Sequence, residues 1–378
     1  MALITGSFST QAVAQSFVEL DSIRYTVSDD GKSAYASGSR PGIRDALIRS
    51  EVTISGNNYP VTVISSFFNQ DSLRHVSIPA SVNLIEAGAF SHCINLPEIL
   101  IPPTVDSIGH NVFDSCVNLK KVYLPDNLSS MGNGVFGQCC ALESIAIPNS
   151  MTTIPPVTFS ECSGLRNVYL PNSVKTIGDA AFQYCSSLPE VRLPDSLTTI
   201  GWHAFRNCTS LTSVEIPDSV TSIGFCAFIE CSNLTEVTIG KSVTSIGGHA
   251  FDHTGLVSVL IPASVTSIGV DAFAWTPVKD LYCAPTVPPT AESPIVTNEV
   301  NVTLHVPVGC KEAYSKATTW KRFRNIVEDP ELSGIESVKT DGVAPQTIYY
   351  DLQGREVKNP DAGIYLRRQG KAVEKVVL

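Results

Sequence analysis

Apolar positions between residues 65 and 283 recur in blocks of 22–23 residues, not with a single helical or strand period. Phe stands at 90, 113, 136, 159, 182, 205, 228 and 251, each 23 residues after the last, and then at 273; Phe67 fits the same column. Cys follows three residues later at 93, 116, 139, 162, 185, 208 and 231, and Leu another three later, from Leu96 to Leu234. A third column runs from Ile78-Pro79 through Ile101-Pro102 and Leu124-Pro125 to Ile261-Pro262, with Gly240 in place of Pro after Ile239. Val-x-Ile, as in Val214 and Ile216, alternates with period two and predicts a short strand. The Pro after it has no N–H and ends the ladder. Gly in the Ile-Gly pairs (Gly109, Gly132, Gly178, Gly201, Gly224, Gly247, Gly269) is expected to supply a turn with unusual φ.

A period of this length with Leu and Ile at fixed offsets predicts a leucine-rich-repeat solenoid. Its strands should stack as a parallel sheet about 4.8 Å apart, joined by irregular or short-helical return arms. The Val, Ile, Phe, Cys and Leu of one unit cannot bury themselves alone, so neighbouring units must cover them. Repeats are assigned to residues 65–306, because Cys283 and Val306 continue the strand column. Strand-like runs in 17–64 predict an N-terminal β cap. A C-terminal cap is placed at 307–328, where 310–323 reads as an amphipathic helix with Tyr314 and Trp320 inward. Residues 329–345 read as a linker. The last segment, 346–378, alternates in strand fashion between glycines and reads as a small β module.

Composition narrows the function classes. The charged fraction is 16% and the net charge −10, which disfavours nucleic acid, whose phosphates require clustered Lys and Arg. No apolar run approaches the roughly 18 residues that span a bilayer. Residues 1–14 read as the tail of an export signal, because Ala12-Val13-Ala14 before Gln15 is a small-x-small cleavage pattern.

The unit with Ile-Pro, Ser-Val-Thr-x-Ile-Gly and Ala-Phe-x-x-Cys resembles the BspA-type leucine-rich repeat of bacterial surface proteins. Val306 to Gly309 followed by Tyr314, Trp320 and Phe323 resembles the usual end of such an array. Tyr350 to Val357 with Gly363-Ile364-Tyr365 is similar to C-terminal sorting or anchoring segments of secreted Bacteroidetes proteins. The resemblance implies secretion or display on the outer surface of a bacterial cell, and adhesin-like binding to proteins or glycans of a host or of neighbouring bacteria. It implies no catalysis and no cofactor. An envelope-assembly protein, with the repeats as spacer, is the alternative.

Candidate chemistry is sparse. Seven Cys share one column and should stack in parallel as buried free thiols, while Cys226 falls on a variable position and is expected to be exposed. Neither Cys-x-x-Cys nor His-x-x-x-His supports a metal site. Gly132 to Gly137 matches Gly-x-Gly-x-x-Gly, but Gly132 and Phe136 belong to repeat columns and no βαβ unit surrounds them. His92, His203 and His249 fall on variable positions and are expected to be solvated. The face free to vary is the outward side of the strands. There Lys121, Tyr123, Arg166, Tyr169, Arg192, Glu215 and Tyr282 are the candidate binding residues, since Tyr and Arg combine large contact area with a polar handle.

Overall fold

The computed structural model describes residues 17–332, except 39, 68 and 293, together with the backbone of strands Thr347–Tyr350, Glu356–Val357, Ile364–Gln369 and Ala372–Val377. The expected export signal lies outside the described residues, as does the expected linker from 333 onward.

Each repeat makes one turn of a three-sided coil. The first side is the Val-x-Ile strand, in register with its neighbours at an offset of one repeat: Lys121 lies opposite Glu98, Val122 opposite Ile99 and Tyr123 opposite Leu100. This ladder is interrupted into short parallel groups along the array. The second side is a two-residue strand ending in Ile, such as Thr176-Ile177, paired in parallel with Thr199-Ile200. Seven such strands run unbroken from Thr153–Ile154 to Thr290–Ala291. Two residues suffice because Pro closes one side and Gly the next.

Backbone of left-handed conformation forms the third side. The N–H groups of Asn111, Phe113 and Ser115 donate to the carbonyls of Asn133, Val135 and Gly137 one coil on, at 2.9, 2.8 and 2.8 Å. Asn111 and Ser115 have φ of 54° and 59°. Equivalent residues at positive φ recur coil after coil, including Val157, Ala180, His203, Cys226 and His249 in one column and Glu161, Tyr184, Glu230, His253 and Trp275 in the other. L-residues enter this region at a cost of roughly 1–2 kcal/mol, which the inter-coil hydrogen bonds offset. The return arms are turns rather than helices, tied coil to coil by these hydrogen bonds.

The Ile-Gly glycines correct the expectation for them. None has positive φ. A Cβ on Gly109 would lie 2.4 Å from the Ala87 nitrogen, and one on Gly224 would lie 2.5 Å from the Gly201 oxygen. Gly is required because consecutive coils touch backbone to backbone at this corner. The same contact explains Gly240, where a Cβ would meet the Pro217 oxygen at 2.2 Å.

Inside, ten Phe rings from Phe67 to Phe273 stack with centroids 5.2–5.6 Å apart. That is the offset-parallel arrangement favoured by ring quadrupoles. Each column Cys donates its S–H to the Phe carbonyl of the preceding coil: Cys116 to Phe90 at 3.1 Å, Cys162 to Phe136 at 3.1 Å and Cys231 to Phe205 at 3.0 Å. Thr254 and Thr276 replace Cys in the last coils, and their hydroxyls donate to the Phe of their own coil.

At the front, strands β1 (Phe17–Leu20), β2 (Ile23–Val27) and β3 (Ala34–Gly38) are antiparallel. Strand β4 (Asp45–Leu47) starts the first side by pairing with His75–Ser77. Strand β5 (Glu51–Ile54) pairs with β6 (Asn57–Ile64), which starts the second side against Leu84–Ile85. At the back, Thr303–Pro307 and Asn325–Asp329 extend the first side. The expected single helix over 310–323 is two pieces: helix α1 (Lys311–Lys316) and a 3-10 turn at Trp320–Arg322, with Ala317 extended between them. Three anchors set that break. Tyr314 donates its hydroxyl proton to the Pro285 carbonyl at 2.7 Å, Thr319 bonds the Ala291 carbonyl at 2.7 Å, and the Trp320 indole bonds the Pro289 carbonyl at 2.8 Å. Pro330–Leu332 form another 3-10 turn. The strands of 347–377 form an antiparallel sheet with Thr347–Tyr350 between Glu356–Val357 and Ile364–Gln369.

Candidate functional site

Two outward surfaces carry side chains that the core does not use. The first is the strand side. Tyr123 lies opposite Leu100, which is 65% exposed, and Tyr169 opposite Ala146. Both tyrosines are half-buried, while Lys121, Arg166 and Glu215 are exposed. Burial raises the Tyr169 phenol above its ordinary value, with neighbouring Arg192 opposing the shift. Glu215 faces Thr238 in register.

Tyr282 stands apart from these, about five coils along the axis from Tyr169 at ~4.8 Å per coil. Its neighbours are Leu260 and His305. His305 stacks on the Tyr282 ring at 4.2 Å and lies between Asp280 (Nε2–Oδ1 3.1 Å) and Asp329 (Nδ1–Oδ2 3.5 Å). The seven candidate residues therefore share one face but fall into two separate groups.

The second surface, on the left-handed side, was missed by sequence reasoning. Trp202 and Trp275 are 62% and 65% exposed, and Phe225 41%. Phe225 is met edge-on by His203 at 5.9 Å and His249 at 5.6 Å. Its ring lies over Gly248, where an added Cβ would be 3.3 Å away. Asp252 is buried and binds two imidazoles: His249 Nδ1 at 2.9 Å and His253 Nδ1 at 2.8 Å. His253 in turn stacks against Trp275 at 5.6 Å. Arg206 pairs with Glu230 and lies over the Tyr184 ring. His203 and His249 are half-buried rather than solvated, whereas His92 is exposed. Burial, then Arg206, holds the His203 imidazole below its ordinary pKa.

The cysteines form no disulfides among the described residues. Cys226 is buried, contrary to expectation, although exposed Val157 stands in the same left-handed column; Cys140 is the exposed thiol. Gly132 to Gly137 is corner glycine plus left-handed ladder: Gly134 has φ of 65°, and Gly137 N–H donates to the Gly134 carbonyl. Among the described residues no group of three or more His, Cys, Asp or Glu could hold a metal ion, and no helix is long and apolar enough to cross a membrane.

Comparison with known proteins agrees with this geometry. A leucine-rich-repeat protein from Bacteroides ovatus is 24% identical over 82% of this chain and 99% of its own, with a TM-score of 0.50, and shows the same fold. A leucine-rich cell surface protein from Faecalibacterium prausnitzii is 23% identical over 87% of this chain and 99% of its own, with a TM-score of 0.45. Among curated proteins no significant sequence match was found. The sequence profile of the BspA type leucine-rich repeat region matches in six copies across residues 61–168 and 152–279, more than half of the chain. The chain therefore belongs to the BspA-type leucine-rich-repeat family.

Proposed function

We propose that this chain is a secreted or surface-displayed binding protein, adhesin-like, which presents the side of its solenoid to proteins or glycans of a host or of neighbouring cells. The observation that carries the reading is a rigid array, within a BspA-type repeat, whose outward columns hold exposed aromatic and charged side chains that no core contact requires. Quasi-one-dimensional stacking suits such a role, since the core columns hold the shape while outward positions are free to change. On the strand side, Leu100, Tyr123, Tyr169 and Arg192 offer the apolar area and polar handles that concentrate binding energy. The strands of 347–377 are read as the sorting or anchoring module, and the N-terminal residues as the export signal.

The test is direct. Full-length protein is applied to immobilised extracellular matrix proteins and to whole cells, beside a variant carrying Tyr123→Ala, Tyr169→Ala and Arg192→Ala. The reading expects wild-type binding and a loss of tenfold or more in the variant. Unchanged binding would move the contact off the strand side. Protection of the native protein from protease added to intact cells, with no binding to any surface, would instead favour envelope assembly.

A further inference from the structure

The aromatic surface on the left-handed side is built, not incidental. In the outward column of Trp202 and Phe225 the N-terminal coils hold Ala87, His110, Asn133 and Pro156, with no Trp or Phe. Exposed Tyr, Trp and Phe rings begin on this side only with Tyr184, under Arg206, and continue with Trp202, Phe225 and Trp275, of which the last two are braced. Phe225 lies on the bare backbone of Gly248 between two imidazole edges, and Trp275 leans on His253. One buried carboxylate, Asp252, fixes both His249 and His253, so a single hidden group orients the supports of two exposed rings. Rings held flat before a ligand arrives lose little entropy on binding.

We propose that this surface binds a neutral polysaccharide chain, its pyranose rings lying on Trp202, Phe225 and Trp275; the proposal rests on the extracellular binding role above and names a ligand class for it. Three features select that occupant. The negative π-face of an aromatic ring attracts the positively polarised C–H face of a sugar, and the rings are interleaved with the imidazoles of His203, His249 and His253, suited to its hydroxyls. The local cation Arg206 is paired with Glu230, and the Asp252 carboxylate is buried against two imidazoles, which disfavours an anionic ligand. Finally, the surface from Trp202 to Trp275 spans three coil steps of ~4.8 Å and a width of at most ~17 Å. That is on the order of 250 Å², about a third of the ~800 Å² per partner of a stable protein–protein interface, but long enough for several sugar units.

The experiment is affinity electrophoresis of the full chain through gels containing laminarin, xyloglucan or dextran, with heparin as the charged control. It is paired with tryptophan emission on titration of the same polymers. The proposal expects retardation by at least one neutral polymer and a blue shift from the exposed indoles. It also expects at least a tenfold weaker interaction in the Trp202→Ala, Phe225→Ala, Trp275→Ala variant, whose melting temperature should match wild type because all three side chains are exposed. If that variant melts early, the wild-type emission shift alone decides. Absence of both retardation and shift with every neutral polymer overturns the proposal, as does unaltered retardation in the folded variant. So does loss in that variant of binding to matrix protein without any polysaccharide effect, which would make the surface a protein contact. The strand-side variant should retain its retardation, and cell or matrix binding that persists without polysaccharide binding would remove this proposal while leaving the proposed function standing.

Discussion

Val157 sits at φ 53° in a column whose neighbours are Gly134 and Ala180. A β-branched residue is a poor occupant of that region, whereas Asn accepts it readily. Val157→Asn should therefore raise stability by about 1 kcal/mol, read as a higher urea midpoint at unchanged slope. Gly224→Ala should act the other way, because its Cβ would collide with the backbone of Gly201; overpacking of this kind costs about 1–3 kcal/mol. These positions show what residue identity could and could not reveal. The Ile-Gly column was visible in the sequence, but spacing alone does not distinguish a glycine needed for its φ from one needed for its missing Cβ. The two left-handed columns were not visible at all, since His, Glu, Tyr, Val and Trp occupy them and share no chemical signature. With that side unread, neither the exposed rings of Trp202, Phe225 and Trp275 nor the burial of Cys226 could be foreseen.

Among the elements, the phenylalanine stack and the thiol ladder were the most legible, because identical residues at a fixed interval must align once the chain coils. Phe159→Ala, in the middle of the stack and fully buried, should cost about 3–5 kcal/mol, measured by denaturant unfolding. The hydrogen bond from each thiol to the preceding coil was not legible, since it depends on carbonyl direction. Thiol reactivity follows from the same geometry. Only the thiolate attacks a disulfide reagent, and burial pushes Cys93 and Cys283 up to about 12. In native protein a colourless disulfide reagent should label Cys140 first, while the column thiols react only on unfolding; rapid labelling of Cys162 would contradict this. The terminal cap was half legible. Tyr314 and Trp320 are buried, yet the helix breaks between them because both reach for proline carbonyls of the preceding segment.

At the scale of the whole molecule the buried thiols act together. Cys93, Cys116, Cys139, Cys162, Cys185, Cys208, Cys226 and Cys283 are all raised by burial. An unfolded thiol ionises near pH 8.5, so the folded state keeps protons that the unfolded state releases. Their stabilisation is complete below about pH 8.5 and declines as pH rises toward the folded values, about 11 for Cys226 and about 12 for Cys93. Each thiol contributes a slope of about 1.4 kcal/mol per pH unit in that window. Thermal unfolding scanned from pH 8 to 11 should show a steep fall in midpoint, made shallower by Cys139→Ala with Cys162→Ala; a flat profile would contradict the buried ladder. The constant offset of one repeat between paired residues has another consequence. Because each coil reads only its two neighbours, excising 23 residues, such as 137–159, restores every column at the splice. The shortened chain should fold with its aromatic surface moved about 4.8 Å nearer the first cap, so the reach of this protein is adjustable in whole coils, like a ruler cut at its marks.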